Sequence, residues 1–117
     1  MGLDELKKRT ELFALAVMKL ADLLLRSRTV DIIYGQLLRA ATSIGANYRA
    51  ACTARSRADF VSKITIVEEE ADESAYWLEL LLEAGVGRPD DLNPLRSEAV
   101  ELTAIFTSSG KTAKRNR

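Results

Sequence analysis

The residues of this sequence that could perform chemistry are mostly carboxylates and lysines. Its 117 residues include no histidine and a single cysteine, Cys52. Zinc fingers, Ser-His-Asp triads and Cys-His dyads are therefore excluded, because each requires histidine or additional cysteines. We expect Cys52 to be a small hydrophobic residue of a helix rather than a redox centre. The acidic run at residues 68–73 is left as the main candidate for acid-base or metal chemistry.

The acidic run at residues 68–73 lacks the further features that three types of carboxylate-based site require. Di-metal sites in helical proteins add a Glu-x-x-His motif, and this chain has no histidine. Glycoside hydrolysis needs two carboxylates that face each other across a cleft, which nothing in the sequence predicts. Calcium loops place their oxygen ligands on a glycine-containing turn, whereas this run has helical periodicity. We therefore predict a non-enzymatic protein with no metal and no cofactor.

Four predicted helices position these side chains. Apolar residues recur at helical spacing in four segments, and no segment alternates as a strand would. Thr29 or Asp31 is expected to cap the second helix, and Ser56 with Asp59 to form a capping box before the third. A glycine-containing turn at 85–87 is expected to end the third helix. The predicted helices cover residues 4–26, 30–53, 57–84 and 92–108.

The length predicts one domain at residues 1–110, followed by a disordered basic tail at 111–117. Short connections between the helices favour an all-α, antiparallel up-down-up-down four-helix bundle. A helical hairpin that completes its core by oligomerising is the alternative. No apolar run is long enough to span a bilayer, and the start has no signal-peptide pattern. We therefore expect a cytoplasmic protein without membrane contact.

Two helix surfaces are candidates either for internal packing or for a subunit interface. The second helix combines small and polar side chains with Gly45, which costs about 1 kcal/mol relative to alanine in mid-helix. The third helix has a second face, on which Trp77 lies beside carboxylates. These carboxylates can pair with Arg39 or Arg49 inside the molecule, or the face can contact another subunit. The candidate residues are Gln36, Arg39, Ser43, Asn47, Ile66, Glu70, Glu73 and Trp77.

The formal net charge of zero conceals an uneven distribution. Residues 31–63 carry five basic and two acidic side chains, residues 64–101 carry two and 11, and residues 102–117 carry four basic ones and no acidic one. Phosphate binding requires clustered lysine and arginine, so the basic segments are candidates for contact with RNA or DNA. The alternative is that they are ordinary solvated helix ends. The candidate nucleic-acid residues are Arg49, Arg55, Arg57, Lys63, Lys111, Lys114 and Arg115.

Three stretches of the sequence resemble a known bacterial family. They are residues 36–51, QLLRAATSIGANYRAA; residues 56–60, SRADF; and residues 68–81, EEEADESAYWLELL. They are similar to the 23S rRNA intervening-sequence proteins, and the similarity extends over roughly residues 6–106. The resemblance implies a left-handed antiparallel four-helix bundle that assembles into a ring, typically a homopentamer. It implies no enzymatic activity.

The resemblance extends, more distantly, to a family that binds nucleic acid. A related family, the accessory variability proteins of diversity-generating retroelements, shares the pentameric bundle and uses a basic surface to bind nucleic acid and a reverse transcriptase. This chain departs from many intervening-sequence proteins, which have proline where Gly45 stands and Ile-Ala-Glu-Gly at residues 48–51. Its second helix is therefore expected to continue to about residue 53, and Arg49 adds a positive charge.

The sequence thus predicts a homo-oligomeric ring, pentameric by resemblance, that contacts RNA or DNA. Two other classes stay open. The ring can be an adaptor or scaffold that docks another protein without binding nucleic acid. An enzyme working through carboxylates would instead require a cleft that holds a carboxylate with a raised pKa.

Overall fold

Four long helices make up the structure. The computed structural model describes residues 1–115, in which no strand occurs, so the predicted all-α class is confirmed. The molecule is elongated, 48 × 20 × 20 Å, and its longest helices of 27 residues have an expected length of about 40 Å. A short 3₁₀ turn, Ala21–Leu23, follows the first helix. The helices are α1, Leu3–Leu20; α2, Arg28–Cys52; α3, Arg57–Glu83; and α4, Pro89–Arg115.

Serine hydroxyls cap the starts of two helices. The Ser27 hydroxyl accepts a hydrogen bond at 3.1 Å from a backbone amide in the first turn of α2. The prediction that Thr29 or Asp31 caps this helix is wrong, because both residues lie inside its first turn. Half of the predicted capping box of α3 is confirmed, since the Ser56 hydroxyl accepts a hydrogen bond from the Asp59 amide at 3.0 Å, whereas the Asp59 carboxylate accepts one from Lys63. Local capping chemistry therefore fixes where both helices begin.

The ends of α1 and α3 meet at one end of the molecule. α1 stops at Leu20, earlier than the predicted residue 26, and the chain turns through the 3₁₀ segment. The Leu25 amide then donates a hydrogen bond at 2.7 Å to the carbonyl of Val86, in the α3–α4 loop. α3 ends at Glu83, one residue before the predicted 84, and the predicted glycine-containing turn follows with Gly85, whose φ of 68° is the left-handed conformation that favours glycine. The two loops therefore support each other.

α4 is longer at both ends than the sequence predicts. It begins at Pro89 rather than 92, and it continues through the polar segment at 108–110 to Arg115. The prediction of a disordered tail at 111–117 is therefore wrong for residues 111–115, and residues 116 and 117 lie outside the described part. The physical reason is contact with α3, because a Cβ on Gly110 would lie 3.6 Å from Ile64. α4 gains packing where its own sequence indicates an end.

One apolar stripe from each helix contributes to a single core. Tyr48 of α2 and Phe106 of α4 pack with their ring centroids 5.3 Å apart. Ser74 is buried among apolar residues, and its hydroxyl donates a hydrogen bond to the carbonyl of Glu70 at 2.8 Å. Cys52, the last residue of α2, packs half-buried against the core. The largest fully buried apolar side chains are Val17, Leu20, Leu37, Ile44, Ile64, Val67, Leu78, Leu81, Leu92, Leu102 and Phe106.

α1 is attached to α2 by close packing and to α4 by an ion pair. A Cβ on Gly45 of α2 would lie only 3.3 Å from the Thr10 hydroxyl, so this glycine serves the approach of the two helices. The Tyr34 hydroxyl donates a hydrogen bond to the carbonyl of Val17 at 2.8 Å. On the other side, the Arg9 guanidinium contacts Glu98 at 2.7 Å and also a second carboxylate of α4. The helix is thus held from both sides.

The Arg9–Glu98 pair should make stability sensitive to acid. The hydrogen bond from Arg9 holds the pKa of Glu98 below its usual range. A lowered folded-state pKa means that the stabilisation is present above the ordinary carboxyl value of about 4.3 and is lost as the pH falls through the lowered value. Urea unfolding at about pH 6 and about pH 3 should therefore show a smaller acid-induced loss for Glu98→Gln than for the unaltered protein.

Arg9→Met tests the same pair from the other side. Without the guanidinium the Glu98 carboxyl loses the cause of its lowered pKa, so this variant should also show a reduced acid response. Full acid sensitivity in both variants would show that other carboxylates control the response.

Candidate functional site

The cations predicted to contact nucleic acid gather at one end of the molecule. Three elements bring them together: the last turn of α2, the turn that leads into α3 and the last two turns of α4. α4 reaches this end because Gly110 packs against α3 and the helix continues past it. We call this region the basic end and define it by Arg49, Arg55, Arg57, Lys111, Lys114 and Arg115.

Two depressions open beside the basic end. A cleft of about 470 Å³ between α3 and α4 is lined by Arg57, Ala58, Val61, Ala113 and Lys114. Arg57 and Lys114 thus flank a depression whose other lining residues are apolar. Arg49 lies in a separate groove of about 500 Å³ between α1 and α2, whose charged lining also includes two lysines and two carboxylates, Lys7, Lys8, Asp4 and Glu11. Positive side chains therefore border this end of the molecule on more than one side.

Six of the seven predicted nucleic-acid residues are exposed and form no ion pair within residues 1–115. The exception is Lys63, which is half-buried near the start of α3. Its ammonium donates a hydrogen bond to the Asp59 carboxylate at 2.5 Å, and this bond lowers the pKa of Asp59. Lys63 therefore has a structural partner, whereas the charges of the basic end remain open to an anionic ligand.

The opposite end of the molecule carries charges of both signs, because Arg26, Arg28 and Arg88 lie there with several carboxylates. Asp90 and Asp91 lie in the first turn of α4 and Glu83 is the last residue of α3. The α4 charges follow the helix dipole, which favours acids at the start and bases at the end. α3 begins with Arg57 and ends with Glu83, and each charge opposes its dipole by about 0.3–1 kcal/mol, although Asp59 in the first turn is favourable. Helix stability alone therefore does not explain why α3 begins with a cation and ends with an anion.

Most of the predicted interface residues make contacts inside the molecule. Arg39 of α2 bridges to α3, with its Nη1 3.0 Å from a Glu70 oxygen and its Nη2 2.7 Å from a Glu73 oxygen. Of the two pairings considered for these carboxylates, the one with Arg39 forms. Arg49 has no ion pair in the described part of the chain. The other polar candidates, Gln36, Ser43 and Asn47, form hydrogen bonds within α2.

The two apolar candidates on α3 differ in burial, since Ile66 stays at the surface whereas Trp77 packs against the edge of the core. Ile66 is 41% exposed, and Trp77 is half-buried with the ring of Tyr76 at its edge, 5.1 Å between centroids. The indole nitrogen of Trp77 is buried without a hydrogen-bond acceptor among residues 1–115. A buried donor of this kind is rare, because an unmade hydrogen bond costs about 1–3 kcal/mol. This part of α3 is therefore unlike an ordinary solvated surface.

An apolar surface on α1 was not predicted from the sequence. Leu12, Leu15 and Met18 are 53%, 42% and 52% exposed and follow one another at a spacing of three residues. Leu15 lies two residues from each of the core residues Phe13 and Val17, which places it about 200° around the helix from both. We call these three residues the α1 outer face. The signal was present in the sequence as a second set of apolar positions beside the core stripe.

Neither a metal cluster nor a membrane-spanning helix is found in the described residues. No group of three or more His, Cys, Asp or Glu side chains within residues 1–115 could hold a metal ion. None of the helices in this range is long and apolar enough to cross a membrane. The carboxylates of the acidic run at 68–73 instead divide between helix contacts and solvent.

The fold and the charge pattern define a small all-α protein of four helices with a cluster of exposed cations at one end. The chain belongs to the 23S rRNA-intervening sequence protein family, whose model matches residues 4–108, so the resemblance seen in the sequence is confirmed. It is similar in structure to a protein of unknown function from the S23 ribosomal protein family of Bacteroides thetaiotaomicron. That likeness has a TM-score of 0.82 and 34% identity, and covers 91% of this chain and 98% of the other. No curated protein matches the sequence significantly.

Proposed function

We propose that this chain is a non-enzymatic four-helix bundle that self-assembles into a ring and binds RNA or DNA through its basic end. The observation that carries the proposal is the basic end itself, where six exposed cations form no ion pair with any residue in the range 1–115. Clustered arginine and lysine bind phosphates and release counterions, which is the main source of affinity for nucleic acids. A net charge of zero does not oppose this, because the acidic residues concentrate elsewhere.

An antiparallel arrangement is part of the proposal, and individual contacts support it. Glu68 and Thr107 form a hydrogen bond, and Glu79 lies 3.9 Å from Arg96. As residue numbers rise along α3, those of their α4 partners fall. The Tyr34–Val17 contact and the Gly45–Thr10 approach follow the same rule for α2 and α1. Alternating helix directions would place both basic termini, the start of α3 and the finish of α4, side by side.

Ring assembly is supported by two distinct apolar surfaces. A closed ring needs a heterologous interface, in which one patch of a subunit contacts a different patch of the next. The α1 outer face and the surface of Ile66 and Trp77 on α3 are two such patches. Each subunit would add one basic end, so charge would multiply around the ring, typically a pentamer in relatives of this chain. The same surfaces favour the second candidate, an adaptor ring that docks another protein without nucleic acid.

A charge reversal at the basic end tests the nucleic-acid proposal. Titration of labelled RNA at about 50 mM and about 200 mM salt should show binding that weakens steeply with salt. Arg57→Glu should weaken it further at low salt, because it replaces an unpaired cation with an anion. Arg88→Glu is the matched control, since Arg88 is exposed and lies at the opposite end of the molecule. Absence of binding at low salt, or equal effects of both variants, would contradict the proposal.

A further inference from the structure

All but one of the aromatic residues are placed where they cannot stack on a nucleic acid held at the basic end. The sequence has seven of them. Phe13, Tyr48 and Phe106 are buried in the core, and the Tyr34 hydroxyl is bound to a carbonyl of α1. Phe60 is the exception: three residues after Arg57, its side chain is half-buried against the core and lines an open depression of about 710 Å³ together with Ala113.

The remaining two aromatic residues, Tyr76 and Trp77, lie far from the cations. They follow Arg57 on α3 by 19 and 20 residues, which corresponds to about 30 Å along the helix. Tyr76 is the exposed member of the pair, at 52%. A strand bound to the basic end would have to cross most of the length of the molecule to reach it.

This placement matters because single-stranded and duplex nucleic acids are bound by different means. Proteins that bind single strands combine a positive groove with aromatic side chains on which bases stack, worth about 1–3 kcal/mol per base. Duplex bases are already stacked and offer phosphates at high density, one charge per about 1.7 Å of helix axis. A surface with six exposed cations and a single half-buried aromatic ring beside them gains more from a duplex.

The positions of the cations suit contact with the phosphates of a nucleic-acid backbone rather than with the edges of its bases. Arg57 and Lys114 flank a cleft with an apolar lining, and Arg49 lies in a different groove on α2. They therefore project from three separate helices at one end of the molecule. Such a spread matches phosphates along a backbone, whereas base reading uses several side chains from one element inserted into a groove.

We infer that the basic end binds the sugar-phosphate backbone of double-stranded nucleic acid without reading its sequence. The inference rests on the proposed function, because it names the ligand class of the same surface. If all six cations contact phosphates, the logarithm of the association constant should fall with the logarithm of the salt concentration with a slope of about −5 for a duplex, against about −4 for a single strand.

The test compares three labelled probes of one sequence, duplex RNA, duplex DNA and single-stranded RNA, titrated with the full chain at several salt concentrations. Both duplexes, or one of them, should bind about tenfold or more tightly than the single strand, and a scrambled duplex should bind equally. The double variant Arg57→Ala/Lys114→Ala should reduce the salt slope by about two. Arg88→Ala at the opposite end of the molecule should leave the slope unchanged.

The outcomes separate this inference from the proposed function. Single-stranded RNA bound as tightly as the duplexes, or a strong preference for one sequence, would overturn the inference and leave nucleic-acid binding in place. Loss of single-strand binding in Phe60→Ala, with duplex binding retained, would show that Phe60 serves as a stacking platform and would also overturn it. Failure of all three probes to bind at low salt would overturn both. Preference between the RNA and DNA duplexes would identify the source of the ligand.

Discussion

Replacing Phe106 with alanine should lower the free energy of unfolding by about 3–5 kcal/mol, the range found for large aromatic side chains removed from cores. Phe106 is fully buried in α4, and its ring packs against that of Tyr48 at 5.3 Å. The substitution removes apolar area from the core and leaves a cavity that neighbouring helices cannot fill without moving. Small domains have about 5–15 kcal/mol of stability, so the loss would consume much of it.

Val100→Ala on the same helix is the matched control for Phe106→Ala. Its side chain is 50% exposed, so its truncation should change stability by less than about 0.5 kcal/mol. Urea unfolding followed by far-ultraviolet circular dichroism measures both, and the midpoint of the Phe106 variant should fall without a large change in slope. Equal effects of the two substitutions would mean that the core is not centred on the Tyr48–Phe106 contact.

The sequence predicted the helices better than their ends. Periodicity located all four helices, because apolar residues recur at helical spacing in each of them and no segment alternates as a strand would. The last turns of α4 were missed because serines and Gly110 normally end a helix. Contact with Ile64 of α3 outweighs that preference, and a contact between distant segments cannot be deduced from local residues. The same limit applies to Ser27, whose capping role depends on where the preceding turn places it.

The candidate site was predicted as a list of cations and not as an arrangement. The sequence shows that basic and acidic residues fall in different segments, but only the packing of α4 on α3 brings Lys114 beside Arg57. The sequence also did not decide which arginine pairs with the carboxylates of α3, because Arg39 and Arg49 were both suitable partners. Helix register decides between them, since Arg39 lies opposite Glu70 and Glu73. Arg49, two to three turns further along α2, stays available to a ligand.

Leu15→Glu should abolish the proposed ring. Leu15 lies at the centre of the α1 outer face, on the side of the helix away from the core, so the fold gains little from it. In an assembled interface the same side chain would be buried, and a carboxylate there would lose its hydration without a partner. Light scattering coupled to size exclusion should show the unaltered protein at about five times 12.9 kDa and the variant near 12.9 kDa.

Val100→Glu separates a lost interface from a general effect of added charge. Val100 is about as exposed as Leu15 but lies on α4, outside both apolar patches, so its variant should keep the mass of the unaltered protein. If the unaltered chain is a stable 12.9 kDa monomer at micromolar concentration, there is no ring. If Leu15→Glu assembles normally while Ile66→Glu does not, the α3 surface forms the interface without the α1 outer face. Because a ring concentrates basic ends, Leu15→Glu should also weaken RNA binding even though it lies outside the basic end.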